Sequence, residues 1–306
     1  MKLHQLSNNL SKRLVAVGLD SSYVCDLVHR AILEDLGGGI DITSSSTVPL
    51  AQRSIATFGS RASGCLAGLD LASAVIEVVC GPLASDFTNF MSDGQRVRAG
   101  DVVAQVEAPT QLLLTAERTA LNLLGHMSGV ATATANWVDA VKGTDTVIRD
   151  TRKTTPGLRA LEKYAVRCGG GQNHRMALSD AALVKDNHIA AAGGVAEAFQ
   201  LVRTHAPSIA LEIEVDTLDQ LIEALVAGAN LVLLDNMSTA TMVQAVTIAK
   251  NHTASTGVVV MLEASGGLTI ERAAEVAKTG IDFISVGGLT HSSPVLDLGL
   301  DLKTVF

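Results

Sequence analysis

Apolar positions follow two different patterns along the chain. In the first part, helical stretches and short β-prone runs alternate without a fixed repeat. Residues Ser21 to Leu36 carry apolar side chains at the i, i+3, i+4 spacing of an amphipathic helix. The following Gly37-Gly38-Gly39 is a common way for a helix to end. The first part of the chain is therefore predicted to form a mixed α and β domain.

Two further elements are predicted before Gly143. Val97 to Val106 is β-prone on both sides of a turn at Ala99-Gly100-Asp101, as in a β-hairpin. A long helix is predicted to begin near Thr115 and to break at Ser128-Gly129, with another helical stretch after the break.

After Gly143 the pattern becomes regular. Six short β-prone segments follow one another at spacings of roughly 20 to 36 residues, as in repeated βα units of a parallel sheet. Alanine-rich helical stretches such as Leu218–Ala227 and Ile270–Thr279 fill most of the gaps. The six segments are Thr146–Ile148, Ala181–Val184, Ala210–Ile213, Leu231–Leu234, Val258–Leu262 and Phe283–Val286.

Ionisable residues or glycines follow every one of these segments. In a βα barrel the carboxyl ends of the strands form the active-site mouth, whereas an open doubly wound sheet gathers its site at one switch point. Polar ends on all six segments therefore favour a barrel-like closure. In chain order these ends are Arg152-Lys153, Lys185, Glu214, Asp235, Glu263 to Gly267, and Gly287-Gly288.

The composition agrees with this architecture and narrows the class of ligand. Of 306 residues, 47% are hydrophobic and only 3% are aromatic, so the core has to be built from Ala, Val, Leu and Ile. Such a core is usual where parallel strands are covered on both faces. The net charge of −8 gives no general support for a nucleic-acid partner. Residues 149–188 nevertheless carry eight cations and four acids, a local charge of +4, which predicts a small and highly anionic ligand.

Neither the apolar runs nor the cysteines indicate export or membrane insertion. The longest apolar runs, such as Leu231 to Leu234, are far too short to span a bilayer, and the N-terminal residues do not have the pattern of a secretory signal. The cysteines are scattered without a C-x-x-C motif, as expected in a reducing cytosol. We predict a cytoplasmic protein without membrane contact. The cysteines are Cys25, Cys65, Cys80 and Cys168.

The last two strand ends are candidates for phosphate binding. Ser265-Gly266-Gly267 leads into an apparent helix start at Leu268-Thr269-Ile270-Glu271, and Gly287-Gly288 is followed by Thr290 and His291. Exposed backbone N–H groups at a helix N-terminus attract phosphate, and the last strands of βα barrels often use this arrangement. Ordinary tight turns use the same glycines, so the pair of motifs favours a phosphate site more than either motif alone.

Two carboxylates, Glu214 and Asp235, each follow a run of apolar residues. Oxygen ligands of this kind suit Mg²⁺ or the hydroxyl groups of a ribose. The alternative is a buried ion pair with Lys185 or Arg175. Both interpretations can hold together, because a site with many cations needs anions when it is empty.

The cations of this region offer two kinds of chemistry. Arg152 and Arg175 can bind carboxylates or phosphates in bidentate geometry, with Lys153 and Lys185 beside them. A lysine at a barrel strand end also suits Schiff-base chemistry, as in aldolases, and neighbouring cations favour the neutral amine that this chemistry needs. The spacing of the residues does not decide between these alternatives.

The motifs that carry these residues resemble the signature of the quinolinate phosphoribosyltransferase family. The resemblance extends from about Glu34-Asp35 to the C-terminus, and its combined specificity is high. Ala177, Gly288 and Ile40 depart from the residues usual in the family, but none of these departures removes a charged site residue. The matching runs are Glu117–Asn122, Thr151–Arg159, Glu162–Val166, Gly169–Arg175, Lys185–His188, Glu212–Val215, Leu234–Met237, Glu263–Gly267 and Ser285–Ser292.

The resemblance implies an α/β subunit of two domains. An N-terminal α/β sandwich domain is expected at residues 1–129, joined by a C-terminal return at 288–306, and an incomplete, open TIM-like βα barrel at 130–287. The expected activity is the Mg²⁺-dependent transfer of phosphoribosyl from phosphoribosyl pyrophosphate to quinolinate. Decarboxylation then gives nicotinate mononucleotide, pyrophosphate and CO₂ in NAD biosynthesis. A homodimer is also implied, in which Arg118 reaches the site of the neighbouring subunit.

The resemblance also implies a role for each matching residue. Catalysis is expected of Lys153, Lys185, Glu214 and Asp235, and the two acids are expected to face the ribose and Mg²⁺, directly or through water. Ser265, Gly266, Gly267, Val286, Gly287 and Gly288 are expected to hold the 5′-phosphate. Quinolinate is expected to contact Arg152, Lys153, His174, Arg175, Lys185 and, from the neighbouring subunit, Arg118. Thr151 is expected to bind substrate as well.

Two other functions and one residue role stay open at this point. A sister protein of the phosphoribosyltransferase type, such as those found beside molybdate transporters, would have the same site with another acceptor base. A catalytically silent phosphate- or nucleotide-binding barrel is the second alternative, although a mere binder has no need of the two carboxylates. His174 either binds the substrate directly or holds the Gly169–Arg175 loop.

Overall fold

The computed structural model of the chain describes the backbone of residues 2–305 and the side chains of residues 2–303. The chain divides into two units. The first unit consists of Met1–Ala133, Ala160–Gly170 and Ser292–Phe306, and the second of Thr134–Arg159 and Gly171–His291. The boundaries expected from the sequence differ in assigning residues 160–170 to the barrel, and they stay a prediction.

The first unit is built around an antiparallel sheet of four strands in the order β12-β1-β5-β3, with helices that bury apolar faces. Asp20 caps the predicted helix at its start by accepting hydrogen bonds from the N–H groups of Ser22 and Tyr23, and Gly37 ends it with a φ of 57°. The elements are α1 (Asn8–Ala16), α2 (Ser21–Leu36), α3 (Ile42–Thr47), β1 (Arg53–Ser60), β2 (Gly64–Cys65), α4 (Leu69–Cys80), β3 (Asp86–Asn89), β4 (Arg96–Val97), β5 (Val102–Pro109), α5 (Thr110–Ala140), α6 (Arg159–Cys168) and β12 (Leu298–Val305).

The predicted hairpin at Val97–Val106 is wrong. Gly100 does form a turn, with a φ of 96°, but the strands on its two sides pair with different partners. β4 pairs with β2, whereas β5 pairs with β1 and β3. The turn therefore connects two sheets of the first unit, and local β propensity could not reveal the change of partner.

The predicted helix break at Ser128-Gly129 is also wrong, since α5 continues through both residues. Ser128 is fully buried, and its hydroxyl accepts a hydrogen bond from the N–H of Ala67. A Cβ at Gly129 would lie 3.0 Å from the carbonyl carbon of Pro294. The glycine therefore serves the close approach of another backbone segment, which offsets its low helix propensity.

The second unit is a parallel sheet of six strands in the order β6-β11-β10-β9-β8-β7, with β6 and β7 at its two edges. The repeated βα units and the predicted fold class, a sandwich domain plus an open βα barrel, are thereby confirmed. The elements are β6 (Val147–Arg149), β7 (Ala181–Val184), α7 (Asp186–Ala192), α8 (Val195–His205), β8 (Ala210–Val215), α9 (Leu218–Val226), β9 (Leu231–Asp235), α10 (Thr239–Thr256), β10 (Met261–Ser265), α11 (Ile270–Ala277), β11 (Phe283–Ser285) and α12 (Gly288–His291).

One predicted strand, Val258–Leu262, lies about three residues too early, because the strand begins only at Met261. Gly257 ends α10 in a left-handed conformation with a φ of 75°, and Val258 and Val259 are exposed in the connection. β-branched residues in a short loop thus imitate a strand. The later position brings Glu263 and Ser265 into the strand itself.

Within residues 2–305, none of the helices is both long and apolar enough to cross a membrane.

Candidate active site

The two predicted carboxylates lie on neighbouring strands of the second unit. Glu214 of β8 is in register with Leu233 of β9, and Asp235 follows two residues later on the same face of β9. The ammonium group of Lys185, directly after β7, donates a hydrogen bond to Glu214. The structure therefore brings Lys185, Glu214 and Asp235 together at one edge of the sheet, and the predicted ion pair of Glu214 with Lys185 is confirmed.

Asn236 connects the end of β9 to the end of β10. Its φ is 52°, the only positive value for a non-glycine residue in the described part of the chain. Its backbone N–H donates to the carbonyl of Ser265 over 2.9 Å, and its side-chain amide donates to Asp235 Oδ2 over 2.7 Å. A Cβ at Gly266 would collide with the Asn236 side chain. The carboxylate of Asp235 and the glycine turn are thus held in one arrangement.

The loop after β6 places Lys153 beside the last glycine pair. The hydroxyl of Thr290 donates to the carbonyl of Lys153 over 2.7 Å, and the N–H of Lys153 donates to the hydroxyl of Thr151 over 3.0 Å. A Cβ at Gly287 would lie 2.9 Å from Cδ of Lys153. The side chain of Lys153 therefore passes directly over Gly287, with its exposed end close to the predicted phosphate site.

Two guanidinium groups of the second unit lie close enough to affect each other. The pKa of Arg175 is lowered, first by partial burial and then by the positive charge of Arg152. Arg175 donates to the carbonyl of Ala181 over 2.9 Å. The Nε atom of Arg152 is buried and has no hydrogen-bond partner among the described residues. Two arginines that repel each other, one with an unused donor, form a favourable place for an anion.

A buried cluster of polar side chains lies deeper in the second unit than these residues. Its strand residues come two positions before the residues at the strand ends. We call it the buried cluster; it consists of Arg149, His174, Glu212, Glu263 and Ser285. His174 Nε2 is 2.7 Å from Glu212 Oε2, and Arg149 donates to Glu263 Oε2 over 2.6 Å. The hydroxyl of Ser285 donates to the other oxygen of Glu263. The pKa of Glu263 is raised, mainly by its complete burial and further by the negative charge of Glu212.

Sequence reasoning missed the importance of Arg149, Glu212 and Glu263. A signal was present: Glu212 and Glu263 lie two residues before Glu214 and Ser265, and so on the same strand face. Arg149 likewise precedes Thr151 by two residues. Polar side chains on that face of otherwise apolar strands indicated that the polar site extends deeper than the strand ends.

Arg118 lies apart from these residues in sequence and belongs to the first unit. Its exposed side chain projects from α5 and lines a pocket of that unit together with Asp41 and Thr115. Asp41 is fixed there, since it caps α3 through the N–H of Ser44 and accepts a hydrogen bond from Thr115.

An open parallel βα barrel with ionisable residues at its strand ends defines a class of enzyme whose active site lies at that edge. Comparison with known proteins places the chain within this class. Residues 41–128 match the N-terminal domain, and residues 130–301 the C-terminal domain, of quinolinate phosphoribosyl transferase. The chain therefore belongs to the quinolinate phosphoribosyl transferase family.

Relatives of established name support this assignment. The chain is 48% identical to a nicotinate-nucleotide pyrophosphorylase (carboxylating) of Mycobacterium leprae, over 90% of this chain and 96% of that protein. It is 34% identical to a quinolinate phosphoribosyltransferase (decarboxylating) of Nicotiana glauca, over 91% of this chain and 82% of that protein. The solved structure of the nicotinate-nucleotide pyrophosphorylase from Francisella tularensis superposes with a TM-score of 0.86 at 38% identity, covering 92% of this chain and 96% of that one.

Proposed function

We propose that this chain transfers the phosphoribosyl group of phosphoribosyl pyrophosphate to quinolinate, with release of pyrophosphate and CO₂ and formation of nicotinate mononucleotide. The family assignment and the names of the relatives support this reaction. The observation that carries the proposal is the meeting of Lys185, Glu214 and Asp235 at the carboxyl ends of three successive strands. Cations and acids at one rim suit substrates that are polyanions joined through a ribose.

Quinolinate is a dianion, and the arginines of the second unit are suited to bind it. Arg152 has a buried Nε donor without a partner, and Arg175 lies within its electrostatic influence. A ring carboxylate between them would relieve their repulsion and use the free donor. We assign Thr151, Arg152 and Arg175 to this pocket, with Lys153 and Lys185 completing its positive charge. In this function the lysines bind anions and form no Schiff base, in contrast to the aldolase-type alternative.

The phosphoribosyl pyrophosphate is assigned to the other half of the rim. Glu214 and Asp235 would face its ribose, and the backbone of Ser265–Gly267 and Val286–Gly288 would hold its 5′-phosphate. The two carboxylates also fit Mg²⁺ by ligand type, because this ion prefers carboxylate oxygens and usually keeps several waters. Bound there, Mg²⁺ would neutralise charge on the pyrophosphate leaving group.

The chemistry requires orientation and charge placement but no covalent nucleophile. The pyridine nitrogen of quinolinate attacks the anomeric carbon, and the electron pair of the broken C–O bond leaves with pyrophosphate. The ribose acquires oxocarbenium character in the transition state, which the carboxylates of Glu214 and Asp235 stabilise electrostatically. The adjacent carboxylate then departs as CO₂, and the electron pair of the broken C–C bond stays on the ring carbon, where the positive pyridinium nitrogen stabilises it. A proton then replaces CO₂ on the ring.

A homodimer with Arg118 at the neighbouring subunit's site belongs to the same proposal. Arg118 is exposed in the first unit, beside the pocket that Asp41 and Thr115 line. Ile40, which is 62% exposed, lines the same pocket. The cytoplasmic location stays a prediction from the cysteine pattern.

An acceptor assay tests the proposed function. The purified protein is incubated with phosphoribosyl pyrophosphate, Mg²⁺ and either quinolinate, nicotinate or another pyridine carboxylate, and the nucleotide and CO₂ are measured. We expect turnover with quinolinate and release of one CO₂ per nucleotide. Turnover with another base alone would favour a sister enzyme, and binding without turnover would favour a silent barrel. If an aldehyde substrate is added instead, a borohydride-reducible adduct on Lys153 or Lys185 would support Schiff-base chemistry.

A further inference from the structure

Both ring nitrogens of His174 are engaged inside the second unit. Nδ1 accepts a hydrogen bond of 2.7 Å from the backbone N–H of Arg175, and Nε2 lies 2.7 Å from Glu212 Oε2. The imidazole side chain is only 11% exposed. Because a backbone N–H can only donate, Nδ1 has to be the unprotonated nitrogen, and the ring proton lies on Nε2. Nε2–H then donates to the carboxylate of Glu212.

Three other contacts fix the position of this imidazole. Asp150 accepts hydrogen bonds from the backbone N–H of His174 over 2.8 Å and from the side chain of Asn173 over 2.6 Å. Glu263 Oε1 is 3.7 Å from Nε2 of His174. The loop that leads to Arg175 is thus attached to the sheet through its backbone by Asp150 and through its side chain by Glu212.

Glu212 has the position of a support rather than that of a substrate ligand. Glu212 is 3% exposed. It lies two residues before Glu214 on the same face of β8, and so deeper in the sheet. Its Oε2 faces His174, while its Oε1 has no hydrogen-bond partner among the described residues. A buried carboxylate is costly unless it is paired, so its retention there requires a compensating role.

A metal centre is the alternative use of this cluster. His174, Glu212 and Glu263 offer ligand atoms within 4.8 Å of one another. Metal binding would require the Nε2 lone pair of His174, but that nitrogen carries the proton that Glu212 accepts. It would also compete with Arg149 and Ser285, which occupy both oxygens of Glu263. The hydrogen bonds therefore favour a proton-bearing network over a coordination site.

We infer that Glu212 is a positioning residue, which acts through the imidazole of His174 to hold the backbone of Arg175 where its guanidinium meets a carboxylate of the acceptor. The inference rests on the proposed function, in which Arg175 binds quinolinate. It assigns His174 to the support of the loop, between a buried acid and a substrate-facing cation. Loss of Glu212 should therefore weaken acceptor binding while the phosphoribosyl half of the site keeps its affinity.

Kinetics of Glu212→Leu and Glu212→Gln test the inference. Leucine removes the acceptor for Nε2–H, whereas the amide oxygen of glutamine can replace it. For Glu212→Leu we expect the quinolinate KM to rise about tenfold, the effect of losing one buried hydrogen bond, with less than a twofold change in the KM for phosphoribosyl pyrophosphate. Glu212→Gln should restore a value within about threefold of the wild type. Equal rises in both KM values, or no rise, would overturn the inference.

His126 and Glu162 of the first unit provide a matched control. Glu162 is fully buried and lies 2.9 Å from Nε2 of His126, so this pair resembles His174–Glu212 in chemistry and burial. We expect Glu162→Leu, the same substitution as Glu212→Leu, to leave the quinolinate KM unchanged. A comparable rise in this variant would show that the KM responds to any weakened His–Glu pair, which would contradict a specific role of Glu212.

A measurement without substrate separates this inference from the proposed function. Nitrogen-15 NMR of the histidine rings should show His174 as the Nε2–H tautomer in the wild type and in Glu212→Gln. In Glu212→Leu that signature and the downfield amide proton of Arg175 should be lost. If the wild type does not use quinolinate at all, the proposed function fails while these spectra still decide the role of Glu212. Unchanged spectra in a folded Glu212→Leu variant would overturn the inference, whatever the turnover of that variant.

Discussion

The ammonium group of Lys185 donates a hydrogen bond to the carboxylate of Glu214, across the neighbouring ends of β7 and β8. The side chain of Glu214 is 12% exposed and that of Lys185 is 44% exposed, so the pair lies at the border between the sheet interior and solvent. The two opposite charges therefore lie in direct contact. In the proposed function the same cation meets an anionic substrate, and the same carboxylate meets a ribose.

The first prediction concerns this pair. Lys185→Met and Glu214→Gln should each lower kcat/KM, and the double variant should lose less than the sum of the two effects. Residues in direct contact typically show coupling energies of about 0.5–3 kcal/mol. A double-mutant cycle in kcat/KM measures the coupling, with Lys250→Met, an exposed lysine of α10, as the control that leaves activity unchanged. Strict additivity would show that the two residues act independently.

The second prediction concerns the arginine pocket. If Arg175 binds the acceptor as proposed, Arg175→Ala removes a charge-assisted hydrogen bond worth about 1.5–3 kcal/mol, so the quinolinate kcat/KM should fall by about one to two powers of ten. Arg175→Lys should recover only part of this loss, because lysine lacks the planar fork. Steady-state kinetics with each substrate varied provides the measurement, and Arg272→Ala on the exposed face of α11 is the control. An unchanged quinolinate affinity in Arg175→Ala would disprove the clamp.

The third prediction uses two adjacent glycines. A methyl group at Gly287 would lie 2.9 Å from Cδ of Lys153, whereas a methyl group at Gly288 would meet nothing within 4 Å. Gly287→Ala should therefore displace Lys153 and lower kcat/KM, with a cost in the range of about 1–3 kcal/mol that overpacking usually brings. Gly288→Ala should keep the thermal unfolding of the wild type and should not displace Lys153, because the added methyl group has no protein neighbour within 4 Å. Equal behaviour of the two variants would show that Lys153 does not depend on Gly287.

The fourth prediction separates backbone strain from a hydrogen bond at Asn236. Asn236→Gly loses the hydrogen bond to Asp235 but adopts the positive φ without strain. Asn236→Ala loses the same hydrogen bond and is also strained at this φ. Both variants should raise the KM for phosphoribosyl pyrophosphate to a similar degree. Denaturant unfolding should find the alanine variant less stable than the glycine variant by about 1–2 kcal/mol. A wild-type KM in both would mean that Asp235 needs no support from its neighbour.

The fifth prediction concerns Asp93 of the first unit, which accepts hydrogen bonds from Tyr164 and from the N–H groups of Gly68 and Leu69. Burial raises the pKa of Asp93 despite these bonds. A carboxyl whose pKa is higher in the folded than in the unfolded state binds its proton more tightly when folded. Its contribution to stability is therefore fully present below the unfolded value of about 3.9 and is lost as pH rises through the folded pKa.

Urea unfolding of the wild type and of Asp93→Asn between pH 4 and pH 7 measures this contribution. The difference in unfolding free energy, wild type minus variant, should decrease as pH rises. Asp20 is an exposed carboxyl whose pKa is lowered instead, by its hydrogen bonds to Ser22 and Tyr23. The contribution of Asp20 is present above its unfolded pKa and is lost as pH falls below it, so the difference for Asp20→Asn should not decrease between pH 4 and pH 7. If the difference in unfolding free energy for Asp93→Asn does not change with pH, burial does not destabilise the charged carboxylate of Asp93.

The sequence could predict those features that depend on short-range pattern. Helix α2 and the parallel strands follow from spacing and from the glycine after Leu36, and the rim residues follow from their positions directly after apolar runs. It could not predict the pairing of β4 with β2, because strand partners depend on contacts distant in sequence. The hydrogen bonds of Asn236 are likewise inaccessible, since its φ of 52° depends on the neighbouring strand β10.

The contacts within the buried cluster could not be predicted from the sequence either, because they join residues distant along the chain. Arg149, Glu212 and Glu263 come from β6, β8 and β10, which are not successive along the chain. The period of two predicts that each lies below a rim residue. Only the order of the strands shows that Arg149 meets Glu263, and only the loop before Arg175 shows that His174 reaches Glu212.

Strand β12 gives the first unit an unusual order of assembly. Residues Leu298–Val305 pair with Arg53–Ser60 of β1, so the four-stranded sheet lacks one of its edge strands until β12 has been synthesised. Domains usually fold from the N-terminus during translation. Here the N-terminal sheet cannot close before residues 298–305 have been made, so a chain cut short before Leu298 would lack an edge strand in the part of the protein that was made first.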